Sequence, residues 1–211
     1  MINRRTALLM GLLFGEPLAF ATNAAAEISS QDRPDISRIE SYLNGVRSLR
    51  SRFVQTAPSG EITQGVVLIQ RPGRMRFQYD APSPFLLVAN HGTLFFTDSQ
   101  LQQTSNIPLS RTPLGILLAD QTRLSGDVTV TKFVRLPTQF QVTVVRTASP
   151  GEGTLTFILS DNPMTLRQWI VVDQQGKQTR VTLTNMETGV QVDARQFEQR
   201  PGAPTSTGGG G

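Results

Sequence analysis

Hydrophobic positions recur at two different periods along the chain. After Pro34, Asp35 can cap a helix, and the apolar residues that follow recur at helical spacing: Ile36, Ile39, Leu43, Val46 and Leu49. From Ser51 onward the period changes to two, which is typical of strands. The pattern therefore predicts one amphipathic helix followed by a mainly β domain.

Short strands separated by turn residues account for most of the remaining chain. In one of them, polar and apolar residues alternate without exception, so Met75, Phe77 and Tyr79 share a face. Connections of hairpin length predict antiparallel pairing. After the strand that begins near Ser51, strands are predicted at 61–71, 74–80, 85–89, 93–97, 101–105, 128–136, 139–147, 153–159, 165–173, 179–185 and 191–197.

A second helix is predicted at 112–120. Thr112 can cap it, Pro113 suits its first turn, and the apolar run Ile116, Leu117 and Leu118 departs from strand alternation. Roughly eleven strands exceed what a flat open sheet holds, so the sheet must bend or close. The two helices are the candidates to cover its concave face.

The space under such a cover holds either a packed core or an apolar ligand. Periodicity cannot separate these alternatives for the Met75, Phe77 and Tyr79 row or for the 116–118 run. Trp169 shares its predicted strand face with Thr165, Arg167 and Val171. It is therefore expected to face solvent or to pack at an edge.

The N-terminal residues have the layout of a secretory signal peptide. Arg4 and Arg5 precede a short apolar run, and small residues end at Ala26. The run is too short to span a bilayer, and the route of export stays open between the general and the twin-arginine pathways. We predict a cleaved signal peptide (1–26), one domain (27–200) and a disordered Pro, Ser, Thr and Gly tail (201–211).

Composition excludes several classes of protein. The chain has no cysteine, which removes disulfides, thiolate metal sites and a lipid anchor on cysteine. Its net charge is +4, and removing two arginines and one glutamate with the signal peptide leaves +3. The arginines are scattered along strands, so we predict no nucleic-acid partner.

No pattern of catalytic residues is present. His91 is the single histidine and lies in a turn beside Gly92, which argues against a hydroxyl-nucleophile triad. We find neither zinc-ligand spacing nor a phosphate-binding glycine loop. The remaining candidates for paired carboxylates fall at strand ends and turns: Asp80, Asp98, Asp120, Asp161 and Asp173. We predict no enzyme, no cofactor and no metal.

Ordered motifs occur along nearly the whole mature chain. The more specific part is an Arg-Pro-Gly-x-Met/Phe-Arg-aromatic block, here 71–77, followed by the Thr112-Pro113-Leu114 helix. Weaker marks are Phe53-Val54-Gln55, Gly65, Pro82, Leu86-Leu87-Val88, Leu94-Phe95-Phe96, Leu166, Trp169, Asp173 and Phe197. Together these motifs resemble the LolA-type periplasmic carriers of outer-membrane lipoproteins. The chain departs from the family pattern at Asn90-His91-Gly92, where Asp-Gly is usual, at Phe77, where Trp is commoner, and in its Gly-rich tail.

The resemblance implies an unclosed β-barrel with a helical lid over a hydrophobic cavity. The family's lid-controlling arginine falls on Arg71 and its aromatic cavity residue on Phe77. The acyl-binding cavity residues expected on this basis are Met75, Phe77, Tyr79, Leu87, Phe95, Ile116, Leu117 and Leu118.

The resemblance also implies a function in the periplasm. A monomer is expected to take acylated lipoproteins from an inner-membrane ABC-type releasing complex and to pass them to an outer-membrane acceptor. The alternative is a related periplasmic lipid carrier, or a lipoprotein-sensing module, with a different cargo.

Overall fold

Strands make up most of the structure and join in a single sheet. The computed structural model describes residues 28–198; the predicted signal peptide (1–26) and tail (201–211) lie outside the described residues. Neighbouring strands in the described range are antiparallel. The strands are β1 (Ser48–Thr56), β2 (Ile62–Gln70), β3 (Arg74–Tyr79), β4 (Phe85–Asn90), β5 (Thr93–Asp98), β6 (Gln103–Pro108), β7 (Val128–Leu136), β8 (Gln139–Arg146), β9 (Gly153–Ser160), β10 (Thr165–Asp173) and β11 (Gln178–Thr188).

The strand order explains why the sheet curves and yet stays open. β1 to β6 neighbour one another in sequence order, β7 to β11 do the same, and the pairing of β1 with β11 joins the two series. Twist accumulated over this many strands makes the sheet curl. β6 and β7 are its two edges and do not pair with each other. The prediction of an unclosed antiparallel barrel is confirmed.

The helix α1 (Arg33–Gly45) packs its apolar stripe on the inner face of this sheet. Pro34 lies in its first turn, where a missing N–H costs no hydrogen bond. The predicted cap was wrong, since Asp32 occupies the cap position and Asp35 lies in the first turn. The buried apolar residues of the stripe are Ile36, Ile39 and Leu43.

The predicted extension of this helix to Leu49 was also wrong. The helix ends at Gly45, a weak helix former, and Leu49 belongs to β1. Leu49 is nevertheless buried in the same core as Leu43. The helical spacing of apolar residues therefore runs on into β1 only because the helix and the strand both bury their apolar side chains in one core.

The second helix is shorter than its sequence pattern suggests. α2 (Leu114–Leu117) follows a one-turn 3-10 helix (Leu109–Arg111), and two further 3-10 turns occur at Pro150–Glu152 and Ala194–Phe197. Among residues 28–198, no helix is long and apolar enough to cross a membrane.

Two of the predicted strands are placed differently in the structure. The segment predicted at 101–105 forms β6 two residues later, because the Asp98 carboxylate accepts the Gln100 and Leu101 N–H groups and holds them in a turn. The strand predicted at 191–197 is absent. β11 already has β1 and β10 as neighbours, so no edge remains there to pair with this segment.

The 189–198 segment instead ends against the outer face of the sheet. Phe197 is fully buried, its carbonyl accepts a hydrogen bond from Asn90 Nδ2 at 3.0 Å, and Arg76 Nη1 donates to the Gln196 carbonyl at 3.1 Å. Apolar burial and polar anchoring together fasten the end of the described chain to β3 and β4.

Trp169 lies in the core, contrary to expectation. A β-bulge in β10 between Leu166 and Gln168 leaves Arg167 without a partner on β9. The extra residue resets the alternation, so that Leu166 and Trp169 both point inward and Arg167 is exposed. Simple period-two counting therefore assigned Trp169 to the wrong face.

Gly65 allows the aromatic core to pack closely on β2. A Cβ at this position would lie 2.0 Å from the Gln78 carbonyl oxygen and 2.8 Å from Phe53 Cε1. The Phe53 ring uses this space and approaches Phe77 with a centroid distance of 4.6 Å.

Substituting Gly65 by alanine should therefore destabilise the fold by about 1–3 kcal/mol, because a backbone carbonyl and a core ring must both move. Urea unfolding would measure this change. Gly45→Ala is the matched control: an added Cβ there meets nothing within 4 Å, so the free energy of unfolding should stay the same or rise. Equal stabilities of the two variants would contradict the assigned role of Gly65.

Candidate functional site

The inner face of β3 and β4 carries four of the predicted cavity residues. Met75, Phe77 and Tyr79 are buried on one face of β3, as predicted. Leu87 of β4 lies opposite Phe77 in the antiparallel ladder, so it shares this face. Leu87 is only half-buried, and the inner surface becomes more exposed toward β5 and β6.

Phe95 lies on the other face of the sheet. It pairs with Val88, whereas Phe96 pairs with Leu87. Phe96, at 38 % exposure, is therefore the phenylalanine on the inner face. The sequence contains two adjacent phenylalanines, and choosing between them requires the register of β5. Leu94 is buried, and residues two apart on a strand share a face, so Leu94 indicates that Phe96 and not Phe95 lies on the inner face.

A continuous row of aromatic rings crosses the inner face. It begins at Phe96 on the exposed side and ends at Trp169, which is 1 % exposed. Centroid distances along the row are 5.2 Å for Phe96–Phe85, 6.0 Å for Phe85–Tyr79, 5.2 Å for Tyr79–Phe53, 4.6 Å for Phe53–Phe77 and 6.1 Å for Phe77–Trp169. The resemblance included Phe53 and Trp169 among its marks, but no inner-face role was predicted for Phe53, Phe85, Phe96 or Trp169.

Two segments pack over the covered part of this face, and we call them the cover: α1 and residues 109–124. The predicted residues Ile116, Leu117 and Leu118 are buried in the same core cluster as Met75 and Phe77. The Leu118 carbonyl accepts a hydrogen bond from the Gly73 N–H at 2.8 Å. The three apolar residues thus belong to the cover itself and pack into the core beneath it.

Gly115 allows the 109–124 segment to fold back on itself. A Cβ at Gly115 would lie 2.7 Å from the Leu109 carbonyl oxygen and 2.2 Å from Arg146 Nη2. Arg146, at the end of β8, therefore lies directly against α2. The short helix is held between its own preceding turn and a strand side chain.

Arg71 joins the two parts of the cover. Arg71 lies immediately after β2 and is only 7 % exposed. One side of the guanidinium donates to the Leu43 carbonyl of α1, and Nε donates to the Ala119 carbonyl at 2.7 Å. Nη2 donates to Thr122 Oγ1 at 2.8 Å, with longer contacts to Asn44 Oδ1 and the Asp120 carbonyl.

Electrostatics make this buried arginine costly to leave unpaired. Burial lowers the pKa of Arg71, and the neighbouring positive charge of Arg47 lowers it further, while Asp120 acts in the opposite direction. An arginine nevertheless stays protonated in proteins. Its buried N–H groups therefore need acceptors, and the cover supplies them.

The two parts of the cover also bond directly to each other. Asn44 Nδ2 donates to the Thr122 carbonyl at 3.0 Å while its Oδ1 accepts the Thr122 N–H at 2.8 Å. The Glu40 carboxylate accepts the Leu124 N–H at 2.9 Å. Arg47, two residues after α1, adds an exposed ion pair with Asp120 at 2.6 Å. The contact between the segments is thus mostly polar.

The interior beneath the cover is closely packed in this structure. The cavity where the cover meets the sheet has a volume of about 20 Å³, which is room for about one water molecule. Its lining residues are Tyr42, Leu43, Val46, Leu49, Ile69, Arg71, Leu117 and Leu166. The buried residues among those predicted for the cavity therefore pack in one core here, and an acyl chain would require the cover to move.

The carboxylates considered for catalysis each have structural partners. Asp80, Asp120 and Asp161 form ion pairs with Arg52, Arg47 and Arg38 respectively, and the Arg52 hydrogen bond lowers the pKa of Asp80. Asp98 and Asp173 accept backbone N–H groups in turns. The absence of enzymatic activity remains a prediction.

Comparison with known proteins identifies a family. Residues 44–200 match the model of the family described as "Outer membrane lipoprotein carrier protein LolA". An outer-membrane lipoprotein carrier protein of Methylococcus capsulatus is 27% identical over 176 residues, covering 79% of this chain and 84% of that protein. The corresponding protein of Azotobacter vinelandii is 27% identical over 213 residues, covering 90% and 93%.

A third relative matches a smaller part of the chain. It is an uncharacterized protein of Rickettsia prowazekii, 25% identical over 122 residues, covering 58% of this chain. This chain spans 57% of that protein's length.

Tyr79 should make stability depend on alkaline pH. Burial raises its pKa from 10.0 to about 12, and the hydroxyl donates a 3.0 Å hydrogen bond to Gln55 Oε1. The folded state therefore keeps this proton over a range where the unfolded chain loses it. The contribution is complete below about pH 10 and falls as pH rises toward about 12, by about 3 kcal/mol in all.

Tyr79→Phe removes this ionisation and should flatten the decline, while losing about 1 kcal/mol near neutral pH with the hydrogen bond. Urea unfolding at a series of alkaline pH values measures both effects. Tyr42 also titrates with a raised pKa, so some decline should remain. Identical pH profiles for the variant and the parent would show that Tyr79 has no such role.

Proposed function

We propose that this chain, a member of the LolA family of outer membrane lipoprotein carrier proteins, binds the acyl chains of lipoproteins released from the inner membrane and delivers them to the outer membrane. The N-terminal pattern of a signal peptide supports work in the periplasm. The donor would be an inner-membrane ABC-type complex and the recipient an acceptor at the outer membrane. The protein itself would carry out no chemical reaction.

One observation carries this proposal: a largely apolar, aromatic-rich inner face lies under a cover whose two parts meet through buried polar contacts at Arg71. A cover held only by apolar packing would have no reason to bury a charged guanidinium. The hydrogen bonds of Arg71 to Leu43, Ala119 and Thr122 join α1, the 109–124 segment and the end of β2. They are available only while the cover is closed.

The energetics explain why a carrier benefits from such a junction. An acyl chain gains about 0.8 kcal/mol for each CH₂ group that is buried, so an open apolar site would hold a long chain too tightly to release it. Contacts that exist only in the empty, closed form lower the net affinity by their own free energy. Cargo can then pass to an acceptor that binds it only modestly more tightly.

A release assay tests the function directly. Purified mature protein would be added to spheroplasts, and newly made outer-membrane lipoproteins should appear in the supernatant in a soluble complex with it. A periplasmic protein that binds no lipid serves as the control. If no lipoprotein is released while a fatty-acyl probe still binds, the result would support a carrier or sensor for a different lipid instead. Failure of both assays would reject lipid carriage.

Arg71→Leu tests the cover as a lid. The substitution removes charge-assisted hydrogen bonds worth about 1.5–3 kcal/mol each, so the empty form should close less firmly. Acyl-chain affinity should rise about tenfold or more. Lipoprotein would still be taken from spheroplasts, while transfer to outer-membrane vesicles should slow.

Arg74→Leu is the matched control for this variant. Arg74 is three residues away on β3, and its Nη1 donates to Gln70 Oε1 at 3.0 Å rather than to the cover. Its loading and transfer should match those of the parent protein. Unchanged loading and unloading in the Arg71 variant would remove this arginine from lid control.

A further inference from the structure

Part of the inner face extends beyond the cover. We call it the rim row and define it as Phe85, Leu87, Phe96 and Ile107. Phe85 and Leu87 are half-buried, whereas Phe96 and Ile107 are 38% and 48% exposed. Phe96 pairs with Leu87, and Ile107 pairs with Leu94 two residues away on the same face. The rim row is therefore one apolar strip at the β6 edge of the sheet.

The strip continues into the core without a charged group. The Phe96 ring contacts Phe85 and the Phe85 ring contacts Tyr79, at centroid distances of 5.2 and 6.0 Å. From Tyr79 the aromatic contacts lead to Phe77 and Trp169. Inner-face positions of β4 to β6 include one carboxylate, Asp98, which lies at a strand end and is engaged with turn N–H groups.

The opposite side of the interior is closed by charges. There the Asp35 carboxylate, which is 12% exposed, pairs with Arg38 of its own helix and with Arg135 of β7. Arg38 also pairs with Asp161 at 2.8 Å and lies over the Phe140 ring. An acyl chain entering here would have to pass charged side chains, since Arg38 and Arg135 are about half exposed, and would meet no continuous apolar surface.

The contact between the two parts of the cover is equally unsuitable for a first encounter. Arg71, Asn44 and Thr122 hold it closed with several buried hydrogen bonds. A surface depression of about 390 Å³ lies beside α1 and is lined by Ser37, Arg38 and Ser41 as well as Tyr42 and Met164. Neither place offers an apolar strip that is already exposed.

We propose that the rim row is the receiving site for the first acyl chain, which binds there while the cover is still closed and then moves along the aromatic row into the core. This inference rests on the proposed carrier function and adds a location and an order of events to it. Exposed apolar strips of this kind mark binding surfaces. An acyl chain on the rim row keeps apolar contact throughout its passage, which neither alternative route allows.

A kinetic experiment tests the rim row. Trp169 is the single tryptophan of the chain and is buried at the inner end of the aromatic row. Quenching of Trp169 fluorescence by a brominated fatty acid requires near contact and therefore reports arrival in the core. In stopped-flow mixing, Phe96→Ser combined with Ile107→Ser should slow arrival about tenfold, equivalent to about 1.4 kcal/mol, with little change in the final amount bound.

The matched control is Val54→Ser combined with Ile62→Ser. These residues are also exposed, at 37% and 69%, but they lie on the outer face, because Phe53 and Gly65 beside them in the ladder face inward. The control should bind at the rate of the parent protein. Equal rates for the two double variants would overturn the receiving site.

A second measurement leaves the rim row intact. The chain has no cysteine, so Ser105→Cys, opposite Phe96, can carry a single environment-sensitive dye. Its signal should change before quenching of Trp169 develops, and a dye at Gln64→Cys on the outer face should not respond. Simultaneous or reversed signals would overturn the proposed order.

The two proposals fail in distinguishable ways. Parent protein that neither binds the probe nor releases lipoproteins from spheroplasts contradicts the carrier function itself, and the receiving site with it. Parent protein that does both, with kinetics independent of the rim row, contradicts the receiving site alone.

Discussion

A buried guanidinium needs acceptors for its N–H groups, and at Arg71 these acceptors belong to two segments that are far apart in sequence. The Leu43 carbonyl comes from the last turn of α1, and the Ala119 carbonyl and Thr122 hydroxyl come from the segment after α2. If either segment moves away, the charge loses partners that water cannot easily replace without entering the core. Closure of the interior is therefore coupled between the two parts of the cover.

The proposed carrier function needs an interior that can be filled and emptied, and the open sheet meets this need in addition to the closure at Arg71. β1 to β6 and β7 to β11 form two antiparallel series that meet at β1 and β11, which leaves β6 and β7 as separate edges. A closed barrel of this size would fix its interior volume. Here the charged cluster around Asp35 holds α1 against the β7 side, whereas the β6 side exposes apolar residues. The asymmetry gives the interior one charged border and one apolar border.

Sequence periodicity predicted much of this arrangement, and its failures have local causes. The inward row of β3 was correct because Met75, Phe77 and Tyr79 alternate with charged or amide residues. Trp169 was assigned to the wrong face because one extra residue, Arg167, forms a bulge that period-two counting does not detect. Phe95 was chosen over Phe96 because register depends on the partner strand. The resemblance led to Arg71, but its set of acceptors depends on tertiary contacts that no single motif encodes.

Close packing under the cover is compatible with a carrier if the core itself is what the ligand displaces. With only about 20 Å³ of free space, an acyl chain cannot simply be added; side chains such as Leu117 must separate from Leu49 and Ile69, and the chain must replace their lost contacts. The net free energy of binding is then smaller than that of transferring the acyl chain from water to an apolar phase, because the side chains lose their contacts with one another when the chain enters. Under the proposed function, this exchange and the hydrogen bonds of Arg71 would together keep the net affinity for an acyl chain low enough for cargo to be passed on.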